Sequence, residues 1–389
     1  MDPQQFANSP AGKVMKTLQG HWAFVPHPLP PQLQFGNRDI TLLSEAERAL
    51  GKLVGVGDTL PNPQLLIGPF TGREAVLSSR IEGTQTSVTE LFQYEGAQLA
   101  VLGAESSEPR SEVREVRNYR VALQYGLERL AELPLSLRLT RELHGILMRE
   151  VRGREKHPGE FRSEQNWIGP PAAPVGEATY VPPAVPEMHE ALDAWERYLH
   201  AESDLPLLVQ CALMHYQFEA IHPFVDGNGR VGRLLIPLYL AEKGLVSKPL
   251  LYLSAYFEAN RSDYYGRLLA ISQRGEWAEW ITFFLRGVAE QAHDAVVRSQ
   301  RLLGLREAYR DRFLGMRASS LRLRLIDLLF EMPVVSMPLA AARLRVSRVS
   351  ANRALGDLEA QRVIREVTGH KRNRVFIAEE LLRAIEEDA

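Results

Sequence analysis

Apolar residues recur at helical spacing through most of this chain. The stretches 112–130, 137–151, 186–200, 207–221, 230–243 and 277–303 each place them three and four positions apart, the period of one helix face. Pro223 stops the fourth of these and Gly244 closes the fifth. A shorter helix is predicted over 74–81, with Gly83 as its C-cap. The pattern changes in two places. Across 158–183 two β-prone runs, Trp167-Ile168 and Thr179-Tyr180-Val181, flank a Pro-rich centre at 170–177, which predicts a hairpin. From 321 onward the order is helix (321–330), short helix (338–344), a turn at Val346-Ser347 and a third helix (350–361). A hairpin over 363–378 follows, with its turn at 368–373. That order predicts a winged helix-turn-helix. The segment 103–111 reads as a surface loop and the Arg-rich 304–320 as a linker. The expected fold class is mainly α, divided into a helical region 1–111, a core 112–303, the linker 304–320 and the winged helix 321–380.

One run within the core carries most of the chemistry. Residues 222–233 read His-Pro-Phe-Val-Asp-Gly-Asn-Gly-Arg-Val-Gly-Arg. The run lies between two predicted helices, so its loop feeds a helix N-terminus. Free backbone N–H groups and the positive end of the helix dipole make that place an anion site. Gly227, Gly229 and Gly232 let a ligand approach the backbone. Arg230 and Arg233 are fixed cations suited to phosphate oxygens. Asp226 is a hard oxygen ligand of the kind Mg²⁺ prefers, and His222 can take a proton near neutral pH. The parts describe a nucleotide-phosphate cradle with a general base beside it. No Gly-Lys-Ser/Thr follows, so it is not a Walker-type loop.

This run resembles the signature of the Fic (Fido-domain) protein adenylyltransferases, His-Pro-Phe-x-(Asp/Glu)-Gly-Asn-Gly-Arg-x-x-Arg, and fits it at every fixed position. The resemblance implies a Fic-type helical core with a β-hairpin flap. It also implies transfer of AMP from ATP to a hydroxyl side chain (Ser, Thr or Tyr) of a target protein or of this chain itself, with pyrophosphate leaving. His222 would deprotonate the hydroxyl. Asp226 would hold Mg²⁺ between the α- and β-phosphates. Gly227, Asn228, Gly229, Arg230, Val231, Gly232 and Arg233 would bind nucleotide. A kinase branch carries Lys at the position of Gly229, so that branch is not indicated.

Three further stretches fit the same family. Ser78 and Glu82 are four apart, on one helix face, and with Gly83 they resemble the family's inhibitory motif Ser/Thr-x-x-x-Glu-Gly/Asn. The resemblance implies that Glu82 pairs with Arg233 and blocks the γ-phosphate position, in cis and from the N-terminal side. The hairpin residues Trp167, Ile168, Thr179, Tyr180 and Val181 resemble the flap that docks an extended target segment by strand addition. Tyr264 and Tyr265 stand where the family lines its adenosine pocket, and Ser272 replaces the Asn many relatives have nearby.

Composition adds limits. A chain of 389 residues suffices for two or three domains. No apolar run reaches a membrane span, and residues 1–34 are polar and Pro-rich, without a signal peptide's apolar stretch. A cytoplasmic enzyme with no membrane partner is expected. The single cysteine, Cys211, excludes an intrachain disulfide and reads as a packed core thiol. His215 and Glu219 share a helix face, but no third ligand is evident, so they read as structural. Residues 317–377 carry 12 Lys/Arg against 5 Asp/Glu, while the whole chain is at −2. This local excess of +7 suits a polyanion. Asn352 and Arg353 on the third helix, and Lys371 and Arg372 on the wing, are the candidate DNA contacts. A homodimer or scaffold role for the winged helix stays equally open. Other readings of the whole are a DNA-binding regulator whose core senses nucleotide, an enzyme that uses another nucleotide donor or removes AMP, and a toxin-like enzyme freed by a partner.

Overall fold

The computed structural model describes residues 1–100, 111–151, 157–170, 174–314, 319–369 and 374–387. The chain starts with an antiparallel hairpin, β1 (Gly12–Lys16) and β2 (Trp22–Pro26). Helices α1 (Asn37–Thr59), α2 (Gln64–Ile81), α3 (Val88–Ala100), α4 (Ser111–Arg129) and α5 (Leu137–Leu147) follow. After the flap come α6 (Val185–His200), α7 (Leu207–Ile221), α8 (Asn228–Glu242), α9 (Ser254–Ala259), α10 (Arg261–Arg274) and α11 (Trp277–Asp311). The last part holds α12 (Ser319–Glu331), β3 (Val334–Ser336), α13 (Met337–Leu344), α14 (Arg348–Ala360), β4 (Arg365–Glu366), β5 (Val375–Ile377) and α15 (Glu379–Glu386).

Helix α7 is apolar around most of its circumference, and nearly all of it is buried. A helix of that kind belongs in the centre of a domain. Trp195 of α6 and Trp280 of α11 each donate an indole N–H to an α7 carbonyl, that of Met214 (3.1 Å) and that of Ala212 (2.9 Å). Helix α8 lies beside α7 and is equally buried. The loop between these two central helices is therefore held by the best-packed part of the molecule.

Two expectations need correction. Residues 1–111 are not wholly helical, because Val14 and the Trp22–Pro26 run are β-prone and form β1 and β2. This hairpin braces the flap: the Phe24 N–H donates to the Val181 carbonyl (2.9 Å), and Phe6, Phe24 and Tyr180 form one aromatic cluster. The stretch 304–320 also begins as helix, since the helical pattern of α11 continues to Asp311. The flap is narrower than two full strands. It closes through one antiparallel bridge, Ile168 to Tyr180, with a 3-10 turn at Val175–Glu177. Pro170 and Pro174 lack the backbone N–H that a longer ladder would need.

The C-terminal part is a winged helix with sheet order β3-β5-β4. Ser336 caps α13 and Ser347 caps α14, each through its side-chain oxygen. The turn residues Lys371 and Arg372 lie outside the described residues. On α14, Arg348, Val349, Asn352 and Arg353 are exposed together. Val349 is 81% exposed, which fits a free face. The module does not hang loose. Helix α12 packs on α2, and a Cβ at Gly68 would stand 2.7 Å from the Glu331 carbonyl oxygen. Arg298 of α11 donates to the carbonyls of Ala384 (3.2 Å) and Ile385 (2.9 Å) on α15.

Candidate active site

Helix α7 ends at Ile221, and His222 takes a left-handed conformation (φ 50°, ψ 60°). That backbone is unfavourable for a residue with a Cβ and persists only where neighbours impose it. Here they do. Arg162 Nε (3.1 Å) and Asn166 Nδ2 (3.2 Å) both donate to the His222 carbonyl, and Asn166 also donates to the Phe224 carbonyl (2.8 Å). The Asn228 side chain accepts from the Phe224 N–H and donates to its carbonyl, both at 2.8 Å. Asn228 thus spends its side chain on the loop and leaves its backbone N–H for a ligand.

His144 of α5 pins the far side of the loop. It accepts from the Gly159 N–H through Nδ1 (2.8 Å), so Nε2 carries the proton and donates to the Asp226 carbonyl (3.0 Å). Its ring stacks on Phe224 at 3.8 Å, and burial pushes its pKa down to about 4. Sequence reading missed His144, because no local spacing marks a residue 82 positions from its partner.

The His222 ring is held in one tautomer. Its Nδ1 lies 3.3 Å from the Glu219 carbonyl, which can only accept, so Nδ1 carries the proton and Nε2 is a free base. Burial pushes the pKa of His222 down to about 4, only partly offset by the Glu219 carbonyl. The ring is therefore neutral at pH 7, the state a proton acceptor needs.

Helix α8 opens immediately after this base. Gly227 is left-handed (φ 77°), and its N–H donates to Asp226 Oδ1 (2.6 Å). Arg230 meets Glu115 (3.4 Å) and Asp226 (3.8 Å). Arg233 is buried and reaches α2: Nε donates to Ser78 Oγ (2.9 Å), and Nη2 to the Ser78 carbonyl (2.9 Å) and Glu82 Oε1 (2.7 Å). Nη1 of Arg233 is buried without a partner. Burial alone would raise the Glu82 carboxyl, but the charge and hydrogen bond of Arg233 outweigh it and hold Glu82 below the usual range. A Cβ at Gly229 would stand 2.4 Å from Glu82 Oε1 and 2.9 Å from Arg233 Nη1. The carboxylate thus rests against the helix start where an anion would be received.

A cleft of about 570 Å³ opens from this point, lined by Glu82, His222 and Gly229 together with Tyr216, Tyr265, Leu269 and Ser272. Its size suits a nucleotide. A larger cleft of about 720 Å³ is lined by Arg73, Leu77 and Arg80 of α2 and holds none of the motif residues.

The paired tyrosines part company. Tyr265 is 41% exposed and lines the cleft, whereas Tyr264 is fully buried, with its hydroxyl 2.8 Å from His215 Nε2. Val231 is likewise core. Ser272 is bonded to the Tyr216 hydroxyl (2.9 Å). Of the flap residues, Trp167, Ile168 and Thr179 are exposed at the cleft, the first two at 42% and 40%. Tyr180 is buried with its hydroxyl on the Ala220 carbonyl (2.8 Å), and Val181 is covered by β2. Cys211 is buried, which raises its thiol pKa and makes it a core residue. Among the described residues no cluster of three His, Cys, Asp or Glu could hold a metal alone. No helix among them is long and apolar enough to cross a membrane.

Comparison with known proteins bears on family and fold. Residues 40–128 match the Fic/DOC family N-terminal profile, residues 134–240 the Fic/DOC family profile, and residues 323–376 an HTH DNA binding domain. Protein adenylyltransferase Fic of Drosophila erecta is 29% identical over 167 residues, covering 42% of this chain and 31% of that protein. Its counterpart in Drosophila yakuba is 26% identical over 206 residues, covering 52% and 37%. The chain thus spans about a third of the length of these relatives. A solved Fic family protein from Desulfovibrio desulfuricans G20 superposes with a TM-score of 0.56 at 19% identity, over 90% of this chain and 98% of that one. A Fic domain containing signaling protein from Bacteroides thetaiotaomicron gives 0.52 at 18%, over 68% and 97%. At such identities the likeness bears on fold alone.

Proposed function

Because this chain belongs to the Fic/DOC family, we propose that it transfers AMP from ATP to a hydroxyl side chain of a protein, another or itself, and that Glu82 holds the site off. The observation that carries this reading is the free Nε2 of His222 beside the N-terminus of α8, with Gly229 in the first turn and Arg233 one turn further in. Relatives named as protein adenylyltransferases support the reaction class.

His222 Nε2 takes the proton of the incoming hydroxyl. The hydroxyl oxygen bonds to the α-phosphorus, and the bond from that phosphorus to the oxygen bridging to the β-phosphorus breaks. Pyrophosphate leaves with the electron pair. The backbone N–H groups at the start of α8 stabilise the charge on the transferred phosphate, as a prearranged oxyanion site does. Arg230 would meet the leaving group, and Arg233 Nη1, buried without a partner, would receive the γ-phosphate. Asp226 is the residue that would hold Mg²⁺. Its single partly exposed carboxylate suits an ion that takes its other ligands from phosphates and water. When bound there, the ion would neutralise charge on the leaving pyrophosphate. The exposed residues Trp167, Ile168 and Thr179 at the cleft suit docking of an extended target segment along the flap.

Transfer from α-labelled and γ-labelled ATP tests the reaction. Label retained on protein from the α-phosphate alone supports AMP transfer. Retention of the γ-label would mean phosphorylation and overturn it.

A second activity is supported by the match to a DNA binding domain over 323–376 and by the exposed face of α14. Asn352 and Arg353 would face base edges, and Lys371 and Arg372 would meet phosphates.

A further inference from the structure

Glu219 is a half-buried acid on the wall of the cleft that the mechanism above does not use. It was read as structural from the sequence, yet its Oε1 is buried and has no hydrogen-bond partner. Burial raises its pKa to about 7, against the opposing effect of Arg233. An unmet carboxyl oxygen of this kind is costly to keep and calls for an explanation, and the remainder of the side chain is open to the cleft. The site is shaped for that carboxyl: a Cβ at Gly232 would stand 2.2 Å from Glu219 Oε1, so glycine there makes the room. Arg233 spends its hydrogen bonds on Ser78 and Glu82, not on Glu219.

Position identifies the group it awaits. Tyr216, Glu219 and His222 follow one another along the end of α7 at intervals of three residues, about 4.5 Å of helix rise each. All three line the same cleft. On the ATP reading His222 faces the α-phosphate, and the aromatic and aliphatic lining at Tyr216, Tyr265 and Leu269 suits the flat apolar base. A nucleotide laid between them brings its sugar to the middle residue. A carboxylate accepts only, and the sugar hydroxyls are donors, the same pairing by which acidic residues recognise ribose in dinucleotide-binding folds.

We propose that Glu219 reads the ribose of the nucleotide by accepting hydrogen bonds from its 2′- and 3′-hydroxyls, an assignment that rests on the ATP reading above. The test is calorimetric titration of the Glu82→Gly/His222→Ala protein, which opens the site and prevents turnover, with ATP and with 2′,3′-dideoxy-ATP. With Glu219 present, ATP binds tighter by about 10-fold or more, as one or two hydrogen bonds to a charged acceptor require. Adding Glu219→Leu brings ATP down to the dideoxy level and leaves the dideoxy nucleotide unchanged. Should the Leu variant fail to fold, Glu219→Gln carries the test, and its ratio must fall between the two. A preference that survives the substitution, or an equal loss for both nucleotides, overturns the assignment and leaves Glu219 acting through Arg233 or packing. Equal binding of both nucleotides to the Glu219 protein overturns it as well. No ATP binding at all would instead overturn the nucleotide reading, and this inference with it.

Discussion

Arg233 and Glu82 meet across 151 residues of chain, with Nη2 donating to Oε1 at 2.7 Å. The same guanidinium holds Ser78, one turn earlier on α2, through Nε. Glu74, Ser78 and Glu82 repeat every four residues and so share one face of the α2 segment. Glu74 anchors that face by accepting from Tyr119 (2.8 Å) and Ser254 Oγ (2.6 Å). The pair is therefore presented by a helix end that is itself fixed through Glu74 and Ser78.

Removing the base tests the chemical step. His222→Ala should lower AMP transfer by about 10²–10⁴-fold, the usual worth of a positioned general base. ATP binding should persist, because the anion contacts come from α8 and Arg233. In the Glu82→Gly background the acid limb has a definite position. The neutral ring is the active form and its pKa is pushed down to about 4. The rate should hold as pH falls through 6.5 and drop only near 4. A limb near 6.5 in a pH–rate profile would contradict a buried base.

Docking of the winged helix on α2 makes a second point testable. Gly68→Ala places a methyl group against the Glu331 backbone, and overpacking of this kind costs about 1–3 kcal/mol. Thermal denaturation should show the loss. Basal auto-modification should rise, because α2 carries Ser78 and Glu82. In a Glu82→Gly background the same substitution should add nothing. An equal rise in both backgrounds would mean the contact acts elsewhere.

The exposed face of α14 gives a third expectation. Duplex DNA binding should fall steeply with added salt, since phosphate contacts release counterions. Lys371→Ala/Arg372→Ala should weaken all sequences alike, whereas Asn352→Ala or Arg353→Ala should change sequence preference. Anisotropy titration at low salt reads both. Absence of binding to random duplex and to the gene's upstream DNA would leave the module as a scaffold or a dimer contact.

What was legible in the sequence follows from distance along the chain. The loop 222–233 is contiguous, so its residue types declared an anion site with a base, and the i,i+4 pair Ser78 and Glu82 declared a shared face. Helices α7 and α8 were clear because their apolar runs are long and end at Pro223 and Gly244. The supports of the loop were not legible. His144, Arg162 and Glu115 contact it from 60 to 115 positions away, and nothing local marks them. Tyr264 and Tyr265 look alike in sequence, yet adjacent helix residues point about 100° apart, so one entered the core and the other the cleft. The hairpin β1–β2 escaped notice because Pro-rich flanks hide two strands of five residues each.

On the proposed reading, Glu82 blocks a site otherwise ready to transfer AMP. The most direct measurement is intact-mass spectrometry of wild-type, Glu82→Gly and Glu82→Gly/Arg233→Ala proteins after incubation with ATP and Mg²⁺. A charge-assisted hydrogen bond is worth about 1.5–3 kcal/mol, and partial exposure of Glu82 places it at the lower end. That corresponds to a rise of roughly tenfold or somewhat more in the Glu82→Gly protein. One added AMP should accumulate at least that much faster than in wild type, and none once Arg233 is also removed. A Glu82→Gly protein that gains AMP no faster than wild type would contradict it.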